Sequence, residues 1–151
     1  SNYGNAKRIF LDKIKPKNIF PMYRGFDIRK SVIEYKIILE SHLEKSKKGI
    51  PIFDYILLGL GLDGHIASIF PRSPAMTEFD NYCMPIFDSP DKINRLTLTF
   101  SVINNSKKNV FMALGEEKIN LLRSLTSNNL EVPISNIDFI NTNTTWIIGE
   151  N

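Results

Sequence analysis

A cluster of glycine, aspartate and histidine residues follows a short apolar run near the middle of this 151-residue chain. Three glycines, Gly59, Gly61 and Gly64, surround Asp63, and His65 comes next. Glycines after a strand let the backbone approach a ligand closely and adopt positive φ. The amides at the start of a following helix can then hold an anion or a developing oxyanion. Because glycine-rich turns often serve only strand-to-helix packing, the glycines alone do not define a site.

Asp63 and His65 supply the titratable groups of this cluster. Histidine exchanges its proton near neutral pH and is therefore a natural general acid or base. Two residues apart on a tight turn, the carboxylate and the imidazole can face one cleft, where the carboxylate would fix the tautomer of the ring. The pair follows a predicted buried strand, and α/β sheets bind ligands at the carboxyl ends of their strands. His42, on the polar side of a charged helix, is interpreted as a surface residue.

Two separated basic residues are candidate ligands for an anion. Arg95 stands at the start of a predicted strand, and Lys118 lies in the first turn of a predicted helix. Arginine offers bidentate hydrogen bonds to phosphate, while lysine acts as a point charge. Arg72 could reach the same cleft. The alternative is that all three are surface charges among the 19 lysine and arginine residues of the chain.

Other chemistries find little support in the residue pattern. The glycine spacing matches neither a dinucleotide fingerprint nor a P-loop, and a Gly-x-Ser-x-Gly elbow is absent. Two histidines and one cysteine without ligand spacing indicate no metal site, and we expect no cofactor. A net charge of +3 is too weak to predict nucleic-acid binding, and no apolar stretch has the length of a membrane span. The single cysteine, Cys83, suits a reducing compartment, so we expect a cytoplasmic protein.

The elements that must position these residues combine helices and strands. Helices are predicted from Tyr3 to Ile14, from Asp27 to Lys48, from His65 to the residue before Pro71, and from Glu116 to Leu125. Strands are predicted over Ile52 to Leu58, Cys83 to Phe87, Arg95 to Thr99, Asn109 to Leu114 and Thr144 to Ile148. The first strand is apolar apart from Asp54, which predicts a buried parallel strand rather than a half-exposed one. This order predicts an α/β fold with a mainly parallel sheet and right-handed crossovers.

The segment Gly59-Leu-Gly-Leu-Asp-Gly-His-Ile-Ala-Ser-Ile-Phe-Pro71 resembles the signature of the 6-phosphogluconolactonases almost position for position. Further segments resemble the other motifs of that family: Arg95-Leu-Thr-Leu-Thr99, Gly115-Glu-Glu-Lys118, Ser1-Asn2-Tyr3, Val132-Pro133 and Thr145-Trp146. The resemblance covers essentially the whole chain. It departs at Arg72, where the family usually has glycine after Phe-Pro.

The resemblance implies a Rossmann-like three-layer αβα sandwich, which the family shares with the glucosamine-6-phosphate deaminases. It implies metal-free hydrolysis of 6-phosphogluconolactone to 6-phosphogluconate in the oxidative pentose phosphate pathway. The catalytic residues that it implies are His65, as acid and base, and its partner Asp63. The residues that it implies for the substrate and its phosphate are Arg95, Lys118, Gly61, Gly64 and Asn2.

The family's amino-terminal Gly-Gly-Ser/Thr loop and its Asp-Glu-Arg-like strand have no counterpart here. We therefore expect residues 1–151 to form the carboxy-terminal part of a single larger domain, a sandwich incomplete at its amino terminus. Two other functions stay open. The sister deaminases carry an acidic residue five positions after the histidine, and Phe70 at that position cannot transfer a proton, which favours the lactonase. The other is a non-catalytic phosphosugar-binding module, fused to or partnered with a glucose-6-phosphate dehydrogenase.

Overall fold

The computed structural model describes residues 2–25, 27–87, 89–127 and 131–150, and it has a mixed α/β architecture. The helices are α1 (Asn2–Ala6), α2 (Asp12–Ile14), α3 (Ile28–His42), α4 (Phe100–Asn104) and α5 (Glu116–Ser127). The strands are β1 (Ile56–Gly59), β2 (Cys83–Ile86), β3 (Arg95–Leu98), β4 (Asn109–Leu114) and β5 (Thr144–Gly149). A π-helical turn, Lys7–Leu11, joins α1 to α2. None of the described helices has the length and apolar content that crossing a membrane requires.

A parallel sheet of three strands, in the order β1-β4-β5, forms the centre of the described structure. The strands β2 and β3 pair antiparallel in a separate two-stranded sheet. The prediction of a mainly parallel α/β fold is therefore confirmed. The carboxyl ends of β1 and β4 lie at the same sheet edge, since Gly59 is in register with Met112. The glycine cluster and the start of α5 both follow that edge.

One face of the parallel sheet carries the core, and the other is open. Leu58 and Phe111 point into the core and are 4% and 0% exposed. On the opposite face Leu57 is 63% exposed, Leu114 is 48% exposed and Ile147 is 47% exposed. The prediction that β1 is buried on both faces is therefore wrong for the described residues, although parallel sheets are usually covered on both sides.

A second apolar cluster joins α3 to β2. Tyr35 and Leu39 of α3 pack against Cys83 of β2, whose side chain is almost fully buried. The Cys83 thiol donates to the carbonyl oxygen of Val32 at 3.7 Å. Burial raises the pKa of Cys83 to about 11 and that of Tyr35 to about 12. The predicted amphipathic helix thus packs against the hairpin that β2 and β3 form.

Some predicted boundaries are wrong. α3 ends at His42 rather than near Lys48, because Leu43 has an extended backbone with φ −111° and ψ 144°. β1 begins at Ile56 rather than Ile52, because the Ile52 amide donates to the Glu44 carbonyl oxygen, across the preceding turn, instead of pairing in the sheet. The short helix α4 between β3 and β4 was not predicted.

Candidate active site

Asp63 and His65 form the hydrogen-bonded pair that their spacing predicts. Asp63 Oδ1 lies 2.6 Å from His65 Nδ1 and accepts the His65 backbone N–H at 3.1 Å. Since an ionised carboxylate can only accept, we assign the proton of the neutral ring to Nδ1, which leaves Nε2 as an acceptor. The His65 side chain is 32% exposed and so remains accessible to solvent. The turn thus presents an oriented group that can take a proton.

Two glycines of the cluster are required by packing. A Cβ atom on Gly61 would lie 2.1 Å from His65 Nδ1, and one on Gly64 would lie 2.7 Å from the Cβ of Val132. Gly64 also has φ +78°. The Gly61 amide donates to the His65 carbonyl oxygen at 2.9 Å, and the Gly64 amide donates to the Gly61 carbonyl oxygen at 3.0 Å. These two N–H groups therefore hold the turn together in the structure.

The helix predicted to begin at His65 is not formed, and this prediction is wrong. The segment continues as turns, since Ala67 has φ +51°, a left-handed conformation that a right-handed helix cannot contain. The Ser68 amide donates to Thr97 Oγ1 of β3 at 3.1 Å, and Ile69 is fully buried. The segment is thus attached to β3 and to the core, and no helix begins directly after Gly64 in the described part of the chain.

Phe70 connects His65 to Arg95, which lies far away in the sequence. The rings of His65 and Phe70 have centroids 4.6 Å apart, and Arg95 Cζ lies 5.9 Å from the Phe70 centroid. Arg95 also donates to Asp91 through Nε, at 3.4 Å, and through Nη2. The Arg95 guanidinium holds the pKa of the Asp91 carboxyl well below its usual range. Arg95 and His65 thus contact the same phenyl ring, and one edge of the Arg95 guanidinium is occupied by the Asp91 carboxylate.

A cleft of about 450 Å³ opens beside this group of residues. It is lined by Asp63, Phe70, Pro71, Arg72, Ser73, Pro74, Pro85, Ile86, Phe87 and Pro90. Asp63 and Phe70 also contact His65, so the wall of the cleft adjoins the imidazole, although His65 itself is not among the lining residues. Arg72, predicted to reach the cleft, lines it.

No contact in the described structure links the other two residues predicted for the substrate site to this group. Lys118 lies in the first turn of α5, after the carboxyl end of β4, where its backbone amide donates to the Gly115 carbonyl oxygen at 3.2 Å. Asn2 is exposed at the start of α1. Among the described residues, no hydrogen bond or ion pair joins either side chain to His65.

Sequence reasoning missed three residues that position the site. Asp91 binds the guanidinium of Arg95, Thr97 accepts the Ser68 amide, and Val132 packs against Gly64. Asp91 precedes the strand by one turn and could have been proposed from its spacing to Arg95. Thr97 and Val132 lie in segments that resemble family motifs, but nothing in the sequence indicated their contacts, because each contact joins segments far apart in the chain.

A parallel sheet with an aspartate–histidine pair and a cleft at its carboxyl edge is typical of α/β proteins that bind small molecules. The chain belongs to the family described as glucosamine-6-phosphate isomerases/6-phosphogluconolactonase, whose sequence model matches residues 1–146. The resemblance seen in the motifs is therefore confirmed at the level of the family.

The relatives include several lactonases. Probable 6-phosphogluconolactonase 1 of Arabidopsis thaliana is 32% identical over 146 residues, which are 91% of this chain and 54% of that protein. Human 6-phosphogluconolactonase is 40% identical over 86 residues, which are 56% of this chain and 33% of that protein. The chain thus spans about half the length of the curated relatives it matches, or less.

Solved structures show the same fold. The 6-phosphogluconolactonase of Thermotoga maritima matches with a TM-score of 0.82 at 29% identity, and that of Trypanosoma brucei with a TM-score of 0.80 at 25% identity. Each match covers 99% of this chain and 65% of the other. A monomeric glucosamine-6-phosphate deaminase matches with a TM-score of 0.60 at 22% identity, a likeness of fold alone. The fold is therefore the Rossmann-like one that both branches of the family share.

Proposed function

We propose that the full-length protein hydrolyses 6-phosphogluconolactone to 6-phosphogluconate. The observation that carries this proposal is the 2.6 Å hydrogen bond between Asp63 and His65, which leaves Nε2 of the imidazole free to act as a base. Membership of the family supports the substrate, since relatives in both comparisons are named 6-phosphogluconolactonase.

In the proposed reaction His65 first accepts a proton from water and later donates it to the leaving ring oxygen. Nε2 removes a proton from water as the water oxygen attacks the lactone carbonyl carbon, and the carbonyl becomes an oxyanion. The oxyanion then collapses, the bond from the carbonyl carbon to the ring oxygen breaks, and the imidazolium returns its proton to that oxygen. Asp63 stabilises the imidazolium between the two steps through its hydrogen bond to Nδ1.

The phosphate is assigned to Arg95 and Lys118. Arg95 uses Nε and Nη2 for Asp91, whereas Nη1 has no hydrogen bond to a described residue and can bind a phosphate oxygen. Lys118 would approach from the start of α5 at the same sheet edge. Gly61 and Gly64 contribute to the site because their lack of side chains leaves room for His65 and Val132. Asn2 is proposed to lie near the substrate.

Phe70 favours lactone hydrolysis over isomerising deamination. It occupies the position of the acidic residue expected in the deaminases, and its ring packs directly against the imidazole of His65. An aromatic side chain there has no proton to exchange with a sugar. The proposed site therefore carries one acid–base group, which suffices for hydrolysis.

We further propose that residues 1–151 form the carboxy-terminal part of one lactonase domain. The open apolar face of the parallel sheet supports this, because such faces are normally covered by helices. The match to only 65% of the solved lactonases supports it as well. The remaining part of the domain would cover that face and complete the phosphate site.

The test is hydrolysis of freshly generated 6-phosphogluconolactone by the full-length protein and by a His65→Ala variant, after subtraction of spontaneous ring opening. Loss of positioned acid–base catalysis should lower the rate by about a hundredfold to ten-thousandfold. The matched control is His42→Ala, since the only other histidine of the chain lies at the end of α3 and contacts Phe20.

The variants separate the possible functions. Equal rates for wild type and His65→Ala would sink the catalytic role of His65. No turnover by the wild type, together with retained binding of 6-phosphogluconate, would indicate the non-catalytic module instead. Release of ammonia from glucosamine 6-phosphate would indicate the deaminase.

A further inference from the structure

We propose that Arg72 binds the phosphate of the substrate and thereby makes the site selective for phosphorylated lactones. The inference rests on the proposed function for the identity of the ligand, and it adds to the site a residue at a position where the resemblance leads one to expect glycine.

The backbone of Arg72 is the first observation. Its φ is +64°, in the left-handed region that residues with a Cβ atom disfavour and glycine adopts freely. Residues held in such conformations are found preferentially at ligand sites, where the surrounding structure maintains them. The turn therefore keeps a long cationic side chain where a glycine would be easier to accommodate.

The electrostatics of the cleft are the second observation. Arg72 and Asp63 are the charged side chains among the described residues that line it. Asp63 Oδ1 is occupied by His65, and within the described ranges Arg72 has neither an ion pair nor a side-chain hydrogen bond. Arg95, in contrast, is paired with Asp91. Arg72 is thus a cation of this cleft with no carboxylate to displace before an anion binds.

Ser73 provides the third observation. It lines the same cleft next to Arg72, and its hydroxyl is buried with no hydrogen-bond partner among the described residues. Buried polar groups are usually paired. A phosphate oxygen held by Arg72 would offer the missing acceptor after rotation of the Ser73 side chain.

The dimensions of the cleft fit a sugar phosphate. Its volume of about 450 Å³ lies within the range of small-molecule sites, roughly 300–1,000 Å³. Asp63 and Phe70, which both contact His65, are part of its wall. A ligand with its phosphate on Arg72 would share this cleft with the two side chains that touch the imidazole. The guanidinium fork suits the two negative charges of a phosphate monoester.

The experiment measures binding of 6-phosphogluconate and of gluconate to the full-length protein by isothermal titration calorimetry. Arg72→Gly should weaken 6-phosphogluconate binding by about tenfold to a hundredfold, the usual worth of a charged hydrogen bond. Its affinity for gluconate should not change. Arg72→Lys should recover part of the lost affinity, because it restores the charge without the planar fork. The thermal midpoint of Arg72→Gly should equal or exceed that of the wild type, since glycine adopts this φ freely.

The matched control is Lys15→Gly, which also removes a positive charge from a left-handed residue, with φ +47°, outside the lining of the cleft. It should bind both ligands as the wild type does. Unchanged affinity of Arg72→Gly for 6-phosphogluconate, or equal weakening for both ligands, would overturn the inference. So would a wild type that binds neither ligand. A wild type that binds 6-phosphogluconate through Arg72 and hydrolyses no lactone would contradict only the proposed function.

Discussion

The imidazole of His65 rests on the α-carbon of Gly61. The Gly61 amide also donates to the His65 carbonyl oxygen at 2.9 Å. The ring is therefore held by its contact with Gly61 and by the Asp63 carboxylate at Nδ1. Any side chain on Gly61 would have to occupy the position of the ring, 2.1 Å away. The orientation of the base therefore depends on a residue that has no functional group.

We expect Gly61→Ala to lower the lactonase rate by about a hundredfold or more, because the ring must move out of its bond with Asp63. The free energy of unfolding should fall by about 1–3 kcal/mol, as is usual for overpacking. Steady-state kinetics and urea unfolding of the full-length protein measure the two effects.

Gly59→Ala is the matched control, because a Cβ atom there would meet nothing within 4 Å. Its rate should stay within a few-fold of the wild type. If both variants lose activity equally, the contact between Gly61 and the imidazole does not orient the base.

At this scale the sequence predicts contacts inside one turn and misses those between segments. The Asp63–His65 hydrogen bond could be predicted because two residues of separation in a tight turn leave few arrangements. The contact of Arg95 with Phe70 depends on how β3 packs against the turn. The sequence contains no pattern from which the packing of β3 against this turn could be predicted.

Among the elements, the segment after His65 shows how apolar spacing can mislead. Ile66, Ile69 and Phe70 recur at the spacing of a helix face, and all three are buried. These side chains are buried by a series of turns instead, because Ala67 has a left-handed backbone conformation and Thr97 Oγ1 of β3 accepts a hydrogen bond from the Ser68 amide. This apolar spacing is as compatible with the observed turns as with a helix. It could not indicate the backbone, since the acceptor lies on another element.

The contact of α3 with β2 has a consequence at alkaline pH. Burial raises the pKa of Tyr35 from about 10 to about 12, so the folded protein holds the phenol proton more tightly than the unfolded chain does. The stability that the protonated Tyr35 phenol contributes to the folded state is fully present below pH 10 and is lost as the pH rises toward 12. A pKa that is about 12 in the folded state and about 10 in the unfolded state corresponds to about 2–3 kcal/mol in the free energy of unfolding.

We therefore expect the wild type to lose about that much more stability than Tyr35→Phe between pH 9.5 and pH 12, measured by urea unfolding at each pH. Tyr55→Phe is the control, because the ring of Tyr55 is 69% exposed. It should follow the pH dependence of the wild type. Parallel curves for Tyr35→Phe and the wild type would show that burial of this phenol does not affect stability.

For the whole molecule, the open face of the parallel sheet is the feature that the sequence did not predict. The strands and their parallel arrangement were predictable from apolar runs that alternate with helices. The exposure of Leu57, Leu114 and Ile147 was not, because a fully apolar strand predicts cover on both faces. We have proposed that the rest of the domain supplies that cover.

This proposal predicts that Leu57→Lys destabilises the full-length protein by about 3 kcal/mol or more, as expected for an unpaired buried charge. Thermal or urea unfolding measures the change. Ile140→Lys is the control, since Ile140 is 94% exposed in a turn, and its effect should stay within about 0.5 kcal/mol. A Leu57→Lys variant as stable as the control would mean that the face is open in the whole protein.

The second apolar cluster has one more consequence, for how the molecule can be followed in solution. Cys83 is the single cysteine of the chain, its thiol lies between α3 and β2, and burial keeps it protonated at neutral pH. A thiol reagent can reach it only when the helix separates from the hairpin. The rate at which Cys83 is labelled therefore reports how often that junction opens. Cys83 is therefore a natural probe for the separation of α3 from β2, and its labelling rate can be measured without introducing another cysteine.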